Sequence, residues 1–193
     1  MKEEAIIKNV SRHIKLDEME KNYFVNLLHH RILKKGEILL KYGEVCRYNY
    51  FVINGCLRVY SVDEYGTEHI IAFAPADWWT SELYSYLTES PSENIIDTLT
   101  AAELFEIKKQ DMEELFVRIP KFERFFRILF QNAMVNHLNR LKQVLSIPAE
   151  ERYIQFIKQY PFIFNQIPLK YIASFLGVSP EFLSKIRNKI AHS

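Results

Sequence analysis

The sequence predicts an α+β chain. It reads as an N-terminal antiparallel β jelly roll with flanking helices, then one long helix, then a C-terminal helix-turn-helix without a full wing. Three observations predict this. Between Arg31 and Ile107 short β-rich runs alternate with turn signals, and four of the five glycines (Gly36, Gly43, Gly55, Gly66) sit at those turns. From Pro120 to Ser146 apolar residues recur at helical spacing. Leu169–Ile190 reads LKYIASFLGVSPEFLSKIRNKI, two short amphipathic helices around one glycine.

Residues 3–29 read as helix. Ile6, Ile7, Val10 and Ile14 share one face, and Asp17 caps a second stretch through Met19, Tyr23, Phe24, Leu27 and Leu28. His29 and His30 are adjacent, so on a helix they diverge and lie at the surface, not in a metal site. Strands are expected at Arg31–Leu33, Ile38–Leu40, Tyr48–Ile53, Cys56–Val62, His69–Phe73, Ile95–Leu99 and Leu104–Ile107. Asn54–Gly55 between two of them is a hairpin signal. The spacing suits a small jelly roll.

Asp77–Glu93 (DWWTSELYSYLTESPSE) is too long for a hairpin loop and carries a helical turn at Ser81–Leu87. An elaborated loop on a compact barrel is often functional. Trp78 and Trp79 either line a pocket there or cap the barrel. The candidate effector-pocket residues are Trp78, Trp79, Ser81, Glu82, Ser92, Glu93 and Asn94.

Lys108–Arg118 reads as helix, and Pro120 opens a run through Ser146 that would span ~40 Å. Phe122, Phe126, Leu129 and Ala133 form one apolar stripe. Phe130, Met134, Leu138, Leu141 and Leu145 form another. One stripe would satisfy the β domain, so two imply a second copy as well. The expected dimer interface is Phe126, Leu129, Ala133, Met134, Leu138, Leu141 and Leu145. Ile147–Pro148 breaks this helix, and Ala149–Gln159 forms the next. The division is therefore 1–118, the β domain; 119–146, a dimerisation helix; and 147–193, the helix-turn-helix.

In that last part Gly177 supplies the positive φ of a helix end, Ser179 is an N-cap, and Pro180 opens the second helix. Leu183, Ile186 and Ile190 fix its buried stripe. Ser179, Glu181, Ser184, Lys185, Arg187, Asn188 and Lys189 are the candidate DNA contacts. Asn165–Ser193 holds four Lys/Arg and one acid, against a net charge of +1 for all 193 residues. The cations gather where phosphate contact would need them. A near-neutral total argues against indiscriminate coating of nucleic acid.

Cys46 and Cys56 could pair, but two thiols in this length look reduced and cytosolic. Two cysteines cannot by themselves hold an iron–sulfur cluster. MKEEAIIKNVSRHIKL has no long apolar run, so no signal peptide is expected. No stretch approaches ~20 apolar residues, so no membrane span is expected. The expectation is a cytoplasmic protein with no cofactor and no bound metal.

NYFVINGCLRVYSVDEYGTEHIIAF, then PAEERYIQFI after a long helix, then the helix-turn-helix, resemble in that order the Crp/Fnr family of bacterial transcription regulators. The resemblance covers nearly the whole length. It implies a cyclic-nucleotide-binding-like sensory jelly roll, a homodimer through the long helix, and a C-terminal winged helix that binds double-stranded DNA. Three departures stand out. The family's cyclic-AMP binders carry a glycine–glutamate pair in the loop, then an arginine and a small hydroxyl residue. Here Ser81 precedes the matching Glu82, and Ser92 and Glu93 stand where arginine and serine should be. Arginine suits paired phosphate contacts, and Glu93 would repel a phosphate. The cysteine set of the iron–sulfur members is absent, and the given sequence ends soon after the second helix, without a hairpin wing. Glu181 and Lys185 match base-contacting positions, while Pro180 replaces a frequent arginine.

The expected function is a dimeric DNA-binding regulator answering a small effector other than cyclic AMP. The alternative is a ligand- or partner-binding module that has lost specific DNA binding. A cupin-type enzyme on the same barrel would need clustered His and carboxylate ligands. The barrel offers His69 and no His-x-His, so no enzyme is expected.

Overall fold

A computed structural model describes residues 2–161 and 165–191. The chain opens with α1 (Lys2–Ser11) and α2 (Glu18–Asn26). Asp17 starts α2 through a capping box: its carboxylate accepts the Glu20 N–H, and the Glu20 carboxylate accepts the Asp17 N–H, both at 2.9 Å. The helix expected to reach residue 29 stops sooner. His29 and His30 belong to β1 (His29–Leu33), and His30 bonds Glu103 at 2.7 Å.

Next come β2 (Ile38–Leu40), β3 (Tyr48–Asn54), β4 (Cys56–Val62), β5 (Glu68–Pro75), β6 (Trp79–Thr80), α3 (Leu83–Thr88), β7 (Ile95–Thr98) and β8 (Ala102–Lys108). They form two four-stranded antiparallel sheets, ordered β1-β8-β3-β6 and β2-β7-β4-β5. No strand is expected at β6, which is two residues long and pairs with Tyr50 and Phe51. Asn54–Gly55 is not the turn of a paired hairpin. It carries the chain from one sheet to the other, since β3 pairs with β8 and β4 with β5 and β7. Gly55 has φ +85°, and a Cβ there would lie 2.2 Å from the Ala101 carbonyl oxygen. Both facts require glycine.

β3 and β4 read as nearly continuous apolar runs because both faces of each sheet are covered. Tyr50, Val52, Leu57, Val59, Ile96 and Leu104 point between the sheets. Phe51, Phe105 and Ile107 point outward into a second cluster. It is completed by Ile6 and Val10 of α1, Met112 and Leu115 of α4 (Lys109–Arg118), and Phe122 and Phe125 of α5 (Lys121–Ser146). Tyr60, Ile70 and Phe73 leave the other sheet outward into a third cluster. Most of its other members come from α6 (Ala149–Gln159), α7 (Leu169–Leu176) and α8 (Pro180–Ala191), among them Tyr153, Phe156, Ile172, Leu176, Leu183 and Ile186, joined by Cys56, Leu99, Tyr160 and Ile167. Among the described residues the C-terminal helices share one buried cluster with the second sheet.

The elbow between α5 and α6 lies at Ile147–Pro148. Arg152 on α6 reaches back and donates to the carbonyls of Val144 at 3.2 Å and Ile147 at 3.1 Å. It satisfies carbonyls that the end of α5 leaves without partners.

Candidate functional site

The helix pair forms as its sequence dictates. Gly177 ends α7 at φ +68°, and the Val178 N–H returns to the Ala173 carbonyl at 3.0 Å. The Ser179 hydroxyl accepts the Phe182 N–H at 3.2 Å, so this candidate contact serves as the N-cap of α8. Leu183 and Ile186 are buried and Ile190 half-buried, which turns Glu181, Ser184, Lys185, Arg187, Asn188 and Lys189 outward. Hydrogen bonds from its own backbone N–H and from Ser179 hold the Glu181 carboxyl below its usual range. Lys189 bonds Glu150 on α6 at 2.7 Å. Phe182, absent from the candidate contacts, is half exposed on the flank of this helix.

The pair is seated on β5. The Ser174 hydroxyl accepts the Ile70 N–H at 2.9 Å and donates to the Glu68 carbonyl at 3.0 Å. Beneath it lies Arg58 of β4, a buried cation that donates twice to Asp97, both at 2.7 Å, and twice to Glu68 at 2.8 and 3.2 Å. Its guanidinium stacks on Tyr60 at 4.0 Å and on Tyr171 of α7 at 4.3 Å. Burial works against the charge on Arg58, but the bonds to Asp97 and Glu68 outweigh it and raise its pKa. The same Arg58 bonds hold the Glu68 carboxyl below its usual range. A charge amid the apolar run CLRVYSV was the signal for this ion pair.

In the loop between β5 and β7 the packing fits the second of the two expectations, tryptophans that cap the barrel. The Trp79 indole N–H donates to Asn9 of α1 at 3.0 Å, and its ring packs on Phe51 and Phe126. Trp78 leaves the loop the other way, with its ring centroid 5.8 Å from that of Tyr160 at the end of α6. Both tryptophans are plugs, anchored by residues distant in sequence. Glu82 is buried and already used: one carboxylate oxygen accepts the Ser85 N–H at 2.7 Å and caps α3, and the other accepts the Asn94 amide at 3.0 Å. The Ser92 hydroxyl exchanges hydrogen bonds with the Asn94 backbone at 2.9 and 3.0 Å. Ser81 is half-buried and Glu93 exposed. Glu82, Ser92 and Asn94 thus find their partners within the loop itself. A surface cavity of about 560 Å³ lies by Cys46, Arg47, Tyr48, Glu89, Lys108 and Lys109. Another, of about 460 Å³, lies between α4 and α5 by Phe116, Phe126, Phe130 and Met134.

On α5 the expected interface divides. Phe126 is only 3% exposed and packs on Trp79 and Phe125, and Leu129 packs on the same cluster. That corrects the assignment of Phe126 to an intersubunit face; Leu129 is half-buried against the same cluster. Ala133 is half-buried. Met134, Leu138, Leu141 and Leu145 are exposed, at spacings of four, three and four residues.

Cys46 and Cys56 are free and buried, and burial raises both thiols, Cys56 to about 12. Among the described residues no three His, Cys, Asp or Glu side chains gather as a metal site would need. No described helix is long and apolar enough to cross a membrane.

Residues 30–118 match the cyclic nucleotide-binding domain family. The chain is 23% identical over 172 residues to the fumarate and nitrate reduction regulatory protein of Vibrio cholerae, covering 83% of this chain and 68% of that one. FixK2 from Bradyrhizobium japonicum superposes with a TM-score of 0.74 at 14% identity, over 86% of this chain and 85% of that one. The c-di-GMP-responsive global regulator CLP of Xanthomonas campestris superposes with a TM-score of 0.71 at 15% identity, over 91% and 92%. A cyclic nucleotide-binding domain alone would account for the first match only. The others extend well beyond residues 30–118, and the fold of this chain over 86% and 91% of its length is that of FixK2 and CLP.

Proposed function

We propose that this chain is a homodimeric DNA-binding regulator that reads the major groove with α8. In this reading residues 1–118 are the sensor, 119–146 the dimerisation helix and 147–193 the DNA reader. The observation that carries it is the burial pattern of α8. Leu183 and Ile186 fix the helix on its support, and a polar, basic face is left outward. Glu181, Ser184 and Lys185, early in the helix, are set to meet base edges. Arg187, Asn188 and Lys189 are set to meet phosphates, with Lys189 exchanging Glu150 for the backbone. Lys185 can donate to guanine and Glu181 can accept from cytosine. The exposed Met134, Leu138, Leu141 and Leu145 supply the seam for a second copy.

The effector in this reading is not cyclic AMP. Positions 92 and 93 are serine and glutamate, Glu82 is held internally, and Arg58 is bound by two carboxylates.

Selection from random duplexes at low salt tests the reading. An enriched two-fold motif is expected. Lys185→Ala should then cost about 1–3 kcal/mol on that motif and relax one position, whereas Lys189→Ala should weaken all duplexes alike and lower the salt slope by about one. No enriched motif, with both variants binding like the parent, would leave a partner-binding module as the function.

A further inference from the structure

Arg140 lies past the middle of α5 and, with the polar residues of α8 outward, has no place in reading bases. It joins three elements. Its guanidinium donates to the carbonyls of Ile70 (2.9 Å) and Ile71 on β5, and to the Phe175 carbonyl on α7 at 3.0 Å. It also stacks over the Phe175 ring at 4.1 Å.

Each acceptor is available for a reason. Phe175 is the penultimate residue of α7, so its carbonyl has no helical partner and lies at the negative end of the helix dipole. β5 is an edge strand, and its register with β4 slips between Val59 and Tyr60: Val59 faces Ala72 while Tyr60 faces Ile70. Ile71 is the extra residue of that bulge, and the Ile70 and Ile71 carbonyls turn toward the same guanidinium. Only a planar fork with several donors can serve a bulged strand and a helix end at once.

Arg140 also lies about 130° around α5 from the centre of the Met134–Leu145 stripe. One helix therefore carries the seam for the second copy on one side and a bond to the helix pair on the other.

We propose that Arg140 is a positioning residue that fixes the orientation of the α7–α8 pair relative to α5, and so fixes the distance between the two reading helices of the dimer. The inference rests on the DNA-reading function above. A dimer reads two half-sites one helical turn, ~34 Å, apart. A pair free to swing on the α5–α6 elbow would still read a half-site but would not measure the spacing. Ser174 on β5 and Tyr171 on Arg58 support the same seat.

The experiment compares the parent with Arg140→Ala, Arg140→Gln and Arg140→Lys. Binding is measured on duplexes carrying one half-site and on duplexes whose two half-sites are moved apart in single base-pair steps. Amide hydrogen exchange is followed over 68–75 and 169–176. Arg140→Ala and Arg140→Gln should match the parent on a single half-site and lose spacing preference by on the order of tenfold, the scale of a lost charge-assisted hydrogen bond. Exchange should rise in both segments while β3 and β8 keep their protection. Arg140→Lys should recover thermal stability but not spacing preference, because an ammonium cannot bridge both elements. Unchanged spacing preference in a folded Arg140→Gln dimer overturns the proposal. If the parent binds no duplex, the DNA reading fails and spacing control falls with it. Exchange then decides separately whether Arg140 holds α7 to β5: unchanged exchange in Arg140→Gln overturns that contact.

Discussion

Replacing Arg58 with alanine should be among the most destabilising single changes in the β domain. The substitution removes four hydrogen bonds to Asp97 and Glu68 and the stacking on Tyr60 and Tyr171. The two carboxylates then fare differently. Glu68 keeps 29% of its side chain in solvent and can rehydrate, whereas Asp97 keeps 7% and cannot. The cost is therefore dominated by a buried, uncompensated Asp97, about 3–5 kcal/mol. That is a large share of the roughly 5–15 kcal/mol that holds a folded domain. Urea unfolding followed by far-ultraviolet circular dichroism, at fixed protein concentration, should show a lowered midpoint with an unchanged slope. Replacing the pair together, Arg58→Met with Asp97→Leu, should recover most of the loss, because no charge is then stranded. A cost below about 1 kcal/mol for Arg58→Ala, the scale of an exposed ion pair, would refute the reasoning.

Leu138→Glu or Leu141→Glu should leave the protomer folded, since the two leucines are 53% and 57% exposed, and should give monomers by sedimentation. A parent that sediments as a 23.0 kDa species at every concentration would remove the dimer itself. Calorimetry with cyclic AMP should show no sub-micromolar binding, because burying its phosphate without a cation costs several kcal/mol. Tight binding would mean that the loop opens and recruits one. Glu68, held below its usual range, contributes stability that is present above its unfolded pKa of about 4.3 and is lost as pH falls through its lower folded value. Acid titration of Glu68→Gln should lack that share of the loss, and identical acid profiles for parent and variant would count against the pair.

The architecture was legible because periodicity and turn residues are local signals. The strands from Ile38 to Ile107 and the helices after Lys108 stand close to where their patterns put them. What local signals cannot supply is which way a residue in a loop or a mid-strand faces. For Trp79 the sequence leaves pocket and cap equally open, because nothing near it mentions Asn9, which holds its indole from 70 residues away. Asn54–Gly55 has the composition of a hairpin but bridges two sheets, a distinction set by β8 and β7, not by the turn. Phe126 satisfies the spacing of a second-copy interface and of the β domain alike, and Trp79 decides between them. Arg140 has no local signal, because its partners are backbone carbonyls, which carry no sequence signature.

The seating of α7 along β5 bears on how this protein could be cut or recombined. β5 is the free margin of its sheet, and the helix pair is what covers it. Ending the chain after the long helix would uncover Tyr60, Ile70 and Phe73 together with an unpaired strand, the kind of margin that templates association between chains. The β domain produced alone is therefore a candidate for aggregation, not a convenient soluble fragment. A chimera carrying another protein's DNA reader would need more than a matching junction at Pro148: it would need a serine at position 174 and an aromatic ring at 171 to close the sheet.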